Sequence, residues 1–205
     1  MGDTDNRVEG KPSSKPLIAM PDVQEQTRTS EQVFDGCLLK VYRDEVTLPD
    51  GRHSVREWIN HPGASAVVPL FPDGTTVLVR QFRYPPRRFF LEVPAGKLDR
   101  PGEDPEAVAR RELEEETGWR ARTLIYLASL YPCIGYSNEI IHFFLARDLE
   151  PGRQQLAEGE WLDVVRMPLK EAIQKARQGE IADMKSTTAL LLADAFLQKN
   201  GKVVG

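Results

Sequence analysis

At 205 residues the chain is long enough for one substantial core, with room for a small accessory unit. With 40% hydrophobic and 28% charged residues and a formal net charge of −4, its composition is that of an ordinary soluble protein and lacks the basic surplus of a nucleic-acid binder. Two cysteines, Cys37 and Cys133, are too few for a disulfide framework, so a reducing, cytoplasmic setting is expected, and no apolar run suggests a signal peptide or a membrane span.

Residues 1 to 30 are rich in Gly, Pro, Ser, Thr and charged side chains, and are expected to form a disordered or loosely tethered tail. From Val33 the pattern changes. CLLKVYRDEVTL and HSVREWIN read as two strands around the turn Pro49-Asp50-Gly51, giving a β unit over residues 31–62. A hairpin of that size cannot bury a core alone and must dock on the main domain or on a second subunit. The main domain is expected over residues 63–200. ASAVVPL and TTVLVRQFR are strand-like runs flanking Phe71-Pro72-Asp73-Gly74, and FFLEV leads into the segment PAGKLDRPGEDPEAVARRELEEETGW.

That segment contains a helix. Asp104 supplies an N-cap acceptor, Pro105 suits the first helical position, and Gly118 ends the element. Ala109, Leu113 and Thr117 recur every four residues as a mostly apolar stripe. Glu112, Glu115 and Glu116 stand at i, i+3 and i+4, so their carboxylates converge on one patch. Such like-charge spacing costs about 0.2–0.5 kcal/mol per pair in a helix. Clustered hard oxygen ligands are what Mg²⁺ or Mn²⁺ select. The competing interpretation is a solvated acidic face with Arg110 and Arg111 as surface partners.

Beyond the helix, TLIYLASLY, EIIHFFLARDL and WLDVVRM read as strands, the first two separated by the turn-rich loop Pro132 to Asn138. Pro168 opens a helix with Leu169, Ala172, Ile173 and Ala176 on one face, stopped at Gly179. A last helix is expected from about Lys185 to Lys199, apolar at Leu190, Ala193 and Leu197. Strands in local hairpins mixed with helices predict an α/β fold in which a mixed sheet is covered by helices.

Gly96, Glu103 and the run Arg111-Glu112-Leu113-x-Glu115-Glu116-x-Gly118-Trp119 resemble the Nudix box, G-x5-E-x7-R-E-U-x-E-E-x-G-U with U apolar. Every fixed letter from Glu103 onward is matched. The departure is the spacer KLDRPG, six residues where the pattern has five. The resemblance implies an α/β/α sandwich that hydrolyses a nucleoside diphosphate linked to another group. It also implies Glu112, Glu115, Glu116 and the Ala95 carbonyl as ligands of Mg²⁺, for which Mn²⁺ could substitute. Glu103 would assist the site, and Arg111 would orient the carboxylates.

From about Cys37 to Leu197 the chain also resembles the ADP-ribose pyrophosphatase branch of that family, in EWINHPGASAVVPL, VRQFRYP, EVPAGKLD and GYSNEIIHFFLARDLEPG. This implies a homodimer whose N-terminal sheet reaches across to the partner and a small nucleotide as substrate, while the net charge and the lack of a long apolar run argue against nucleic acid and a membrane as partners. Arg83 matches a substrate-binding arginine of the branch and Glu139 a site-facing glutamate; their alternatives are a surface arginine and a strand-edge residue. The branch takes its general base from a loop after the sheet. Within LAEGEWLDV, Glu158 aligns best with it and Glu160 second, with Gly159 lending flexibility.

One departure bears on the substrate. The branch has a proline before the glycine of the GYSN loop, and here Ile134 precedes Gly135. The expectation is hydrolysis of ADP-ribose to AMP and ribose 5-phosphate. The alternatives are a broader nucleoside diphosphate sugar hydrolase, acting on ADP-glucose or GDP-mannose, and a non-catalytic ADP-ribose sensor. His53, His61 and His142 lack metal-ligand spacing and are expected to be structural, and Trp58, Tyr84 and Tyr136 are expected to pack rather than stack on a base.

Overall fold

The computed structural model describes residues 23–98, 100 and 102–200. The central sheet has four strands in the order β7 (Ala95–Lys97), β4 (Ala64–Pro69), β9 (Ile141–Pro151), β8 (Trp119–Leu130). It is mixed: β4 and β9 run parallel, and the β4–β7 and β8–β9 pairs are antiparallel. Every residue of β4, ASAVVP, is buried, which is what a central strand covered on both faces requires.

Alternation along the strands sends side chains to two separate cores. Val67 of β4 and Phe144 and Ala146 of β9 pack with Ala109 and Leu113 of helix α1 (Pro105–Thr117). Ala66, Val68, Ile141, Phe143 and Leu145 point the other way, against α2 (Leu169–Arg177) and α3 (Met184–Lys199). The result is an α/β/α sandwich, as the sequence predicts.

A second antiparallel sheet has the order β10 (Leu162–Pro168), β5 (Thr75–Arg83), β6 (Arg88–Glu92). Its hairpin β5–β6 delivers Arg83 and Glu92 beside the short strand β7. Helix α1 starts and stops as its capping letters predict: the Asp104 carboxylate accepts from the Glu106 N–H at 3.1 Å, and Gly118, at φ 74°, donates its N–H to the Glu114 carbonyl. The three sequence-predicted helices are thus all present, with α3 beginning one residue earlier than expected.

The N-terminal unit departs from expectation. It has three strands in sequential antiparallel order, β1 (Gln26–Asp35), β2 (Lys40–Thr47) and β3 (His53–Asn60), where two were predicted. Residues 26–30, assigned to the tail, belong to β1, while residues 1–22 of that tail lie outside the described residues. The cause is physical. All ten residues of β1 are exposed, so no hydrophobic alternation marks the strand, and pairing with β2 from Gln26↔Thr47 onward defines it instead. The Ile59 N–H of β3 donates to the Tyr136 carbonyl at 2.8 Å, and the Asn138 amide donates to Asn60 Oδ1 at the same distance, which ties this sheet to the GYSN loop. No helix among the described residues is long and apolar enough to cross a membrane.

Candidate active site

A cleft of about 600 Å³ opens where β7, the acidic face of α1 and the start of α3 meet. Glu112, Glu115 and Glu116 all line it, together with Ala95, Arg83, Glu139 and Glu160. Residues from widely separated stretches of chain converge there, and the helical spacing of the three glutamates makes their shared orientation local in origin.

Arg111 binds the acidic cluster together. Its Nη1 lies 2.8 Å from Glu112 Oε1 and 3.5 Å from Glu115 Oε2, and its Nη2 lies 3.7 Å from Glu103 Oε1. Glu103 does not line the cleft and reaches it through this guanidinium. The additional spacer residue falls in the turn before α1, where the Glu103 N–H donates to the Arg100 carbonyl; Asp99 and Pro101 of that turn lie outside the described residues.

Glu116 is the most buried of the three box glutamates, at 4% exposure, and its Oε2 accepts from the Ala95 N–H at 3.2 Å. Burial pushes its carboxyl up to about 8, with the charges of Glu112 and Glu160 adding to the effect. A carboxylate buried among like charges needs a cation, and a hard divalent ion suits an all-oxygen set. The donor set therefore fits a metal. As the side chains lie, no group of three or more His, Cys, Asp or Glu among the described residues stands in metal-holding array, and Arg111 pairs with both Glu112 and Glu115.

Gly96 has a specific steric duty. A Cβ at that position would run into the Glu112 carboxyl group, so only glycine lets this side chain lie over β7 while the strand pairs with Ser65. For Gly96→Ala we expect at least a tenfold loss of turnover, with stability changed by only about 1 kcal/mol, because Glu112 can swing away but leaves its place beside Arg111. Steady-state rates and thermal melts measured on the same preparation check both halves.

Arg83 sits at one end of the cleft, where its Nε and Nη2 bond Glu92 Oε1 and Oε2, each at 2.7 Å. The Glu92 carboxylate holds the guanidinium well into its charged range. Glu92 is buried and also accepts from Lys185 Nζ at 3.2 Å, and Lys185 Nζ lies 3.0 Å from Asp183 Oδ2. Sequence reasoning missed Glu92, Asp183 and Lys185. The available signal was Glu92 itself, a glutamate ending the strand-like run FFLEV ahead of a buried segment.

Elsewhere on the cleft wall Glu139 Oε1 lies 3.7 Å from His61 Nδ1. His61, expected to be structural, lines the cleft, as does Pro132, whereas Ile134 is 83% exposed and does not. The two loop glutamates part company. Gly159, at φ 81°, turns the chain so that Glu160 lines the cleft while Glu158 faces solvent and is absent from its wall.

An acidic helix face with one buried carboxylate under a strand-loop-helix frame, with cations at its edges, is suited to cutting a substrate that carries a pyrophosphate. The chain belongs to the Nudix family of hydrolases: the family model described as NUDIX domain matches residues 60–190, and that described as nucleoside diphosphate sugar hydrolase N-terminal domain matches residues 25–59. Hydrolases of this family use divalent metal ions. The chain is 39% identical to the ADP-ribose pyrophosphatase of Bacillus subtilis (strain 168), covering 83% of this chain and 93% of that one. It is 34% identical to the GDP-mannose pyrophosphatase of Cronobacter sakazakii (strain ATCC BAA-894), covering 72% and 82%. A solved structure described as an ADP compounds hydrolase superposes with a TM-score of 0.79 at 26% identity, covering 90% of this chain and all of that one.

Proposed function

We propose that this protein hydrolyses the pyrophosphate bond of ADP-ribose, giving AMP and ribose 5-phosphate, with Mg²⁺ as its metal and Mn²⁺ as a substitute. The observation that carries this reading is the buried carboxylate of Glu116 flanked by Glu112 and Glu160 in one cleft, with Arg83 and Lys185 at its edge. Glu112, Glu115, Glu116 and the Ala95 carbonyl would hold the metal. When bound, a divalent ion neutralises pyrophosphate charge and makes water a better nucleophile.

The chain's own residues supply the rest. Arg83, already fixed in a bidentate pair with Glu92, and Lys185 attract the substrate phosphates and hold them over the acidic patch. Arg111 keeps the carboxylates of Glu112 and Glu115 oriented, and Glu103 braces Arg111 in turn. A general base must reach the proton it removes, and Glu160 lines the cleft where Glu158 does not. The Glu160 carboxylate therefore accepts the proton of the attacking water, replacing Glu158 as the first choice for this role. Glu139 receives hydroxyls of the distal sugar beside His61.

The protein acts in the cytoplasm as a homodimer with its N-terminal sheet exchanged between copies. In support, that sheet exposes Val33, Phe34, Leu38, Leu39 and Val55, apolar side chains that a partner would cover. A broader nucleoside diphosphate sugar hydrolase is the second reading, favoured by Ile134 standing where the branch has a proline and by the GDP-mannose pyrophosphatase likeness. Purified protein with Mg²⁺, sedimenting as a dimer, is expected to turn over ADP-ribose at least tenfold faster than ADP-glucose or GDP-mannose. Comparable rates on the sugars would establish the second reading, and no turnover of any of them would refute both.

A further inference from the structure

Between the end of β6 at Glu92 and the start of β7 at Ala95 the chain crosses from one sheet to the other, and Val93 and Pro94 belong to neither ladder. Their backbone groups must still find partners, because Val93 is only 1% exposed. Pro94 has no N–H, and its carbonyl accepts from the Val67 N–H at 3.0 Å. The Val93 N–H donates to a side chain 93 positions away, Ser186 Oγ in the first turn of α3, at 2.9 Å. The next N–H, that of Ala95, is the one that holds Glu116 Oε2.

Ser186 does more than its helix turn requires. It is fully buried, its hydroxyl donates to Asp183 Oδ2 at 2.5 Å, and its backbone N–H donates to the same oxygen at 3.0 Å. That N–H alone completes the Asp183 cap of α3. With its proton committed to Asp183, the hydroxyl oxygen is left as an acceptor for Val93. Its neighbour Lys185 reaches Glu92 Oε2 at 3.2 Å. Two consecutive residues of α3 therefore grip two consecutive residues of the crossover, Lys185 holding the Glu92 side chain and Ser186 the Val93 backbone.

A displacement of Val93 passes readily to Ala95, because the one residue between them is a proline whose ring fixes φ and leaves fewer dihedrals to absorb it. Resting on the proposed metal role of Ala95 and Glu116, we propose that Ser186 is a positioning residue for the metal centre. Its hydroxyl fixes Val93 and, through Pro94, the backbone of Ala95, whose carbonyl would hold the metal and whose N–H orients Glu116.

The test is calorimetric binding of Mg²⁺ to the metal-free, full-length protein, a readout independent of turnover. Ser186→Ala keeps the N–H that completes the cap but leaves the Val93 N–H without its acceptor. It is expected to weaken Mg²⁺ binding about tenfold, the low end of the loss when a group supporting a metal ligand is removed. Thr187→Ala is the control: Thr187 Oγ1 donates to the Ile181 carbonyl at 2.7 Å, a bond of the same helix turn that does not reach the crossover. This variant should bind Mg²⁺ as the wild type does. Ser186→Cys nearly keeps the side-chain volume with a weaker acceptor, should fall between wild type and Ser186→Ala, and carries the test if the alanine variant fails to fold by circular dichroism. Equal affinity in the wild type and both Ser186 variants, or an equal loss in Thr187→Ala, overturns the assignment and leaves Ser186 a structural residue of α3. Turnover of ADP-ribose by the wild type is assayed in parallel. A wild type that neither binds Mg²⁺ nor turns over substrate refutes the proposed function and the positioning role with it, whereas Mg²⁺ binding and turnover with affinity indifferent to Ser186 refutes the positioning role alone.

Discussion

Glu116→Gln is expected to lower turnover of ADP-ribose by roughly two to three orders of magnitude while the protein remains folded. The side chain keeps its shape and can still accept from the Ala95 N–H, so packing around a residue only 4% exposed is preserved. What disappears is the charge. The same substitution has a stability signature with a definite sign. In the metal-free protein the Glu116 carboxyl is raised from 4.5 to about 8, so folding takes up a proton between those values. The stabilisation from this group is full below 4.5, declines as pH rises and is lost by about 8, a swing on the order of a few kcal/mol.

Without divalent ions, Glu116→Gln should therefore melt higher than the wild type at pH 9 and close to it at pH 4.5. Adding Mg²⁺ should raise the wild-type melting temperature most at high pH, because the ion then takes the place of the proton, and should do little for the variant. Near-normal turnover in Glu116→Gln, or a melting difference independent of pH, would sink the metal assignment for this residue.

The second large effect is expected at Glu160. Glu160→Gln should reduce kcat by about 10²- to 10⁴-fold with KM little changed, as for loss of a general base that does not anchor substrate. Glu158→Gln, on the solvent side of the same turn, should stay within a few-fold of wild type. The arrangement of the loop supports this contrast: the Glu160 N–H donates to the Ala157 carbonyl at 3.0 Å and the Ala157 N–H to Glu160 Oε2 at 3.3 Å, which folds Glu160 back toward the cleft. If Glu158→Gln shows the large loss instead, the loop closes over substrate in a different register and the base is Glu158. Steady-state kinetics of the two variants decide between them.

Local chemistry accounts for what could be read without a structure. Capping at Asp104 and Gly118 delimits α1, and a 3.6-residue repeat leaves Glu112, Glu115 and Glu116 on a common side whatever surrounds them. The mostly apolar run of β4 likewise announces a strand, which the fold covers on both faces. These features depend on residues within one or two helical turns of each other, or on one strand's own pattern, so the α/β/α frame and the acidic centre of the cleft are legible in the letters.

The remainder depends on partners far apart in the chain. Lys185 and Glu92 are separated by 93 positions, and no local pattern couples a lysine near a helix start to a glutamate ending a strand. β1 exists through its ladder with β2, not through apolar alternation, and so escapes a search for periodicity. The choice between Glu158 and Glu160 turns on the positive φ of Gly159, which decides which of two equivalent letters faces inward. Sequence by itself determined the acidic helix face because helical geometry is local. Tertiary structure alone decided which carboxylate is buried, which loop glutamate reaches the cleft and which cations border it, because burial and long-range ion pairing are properties of the packed chain.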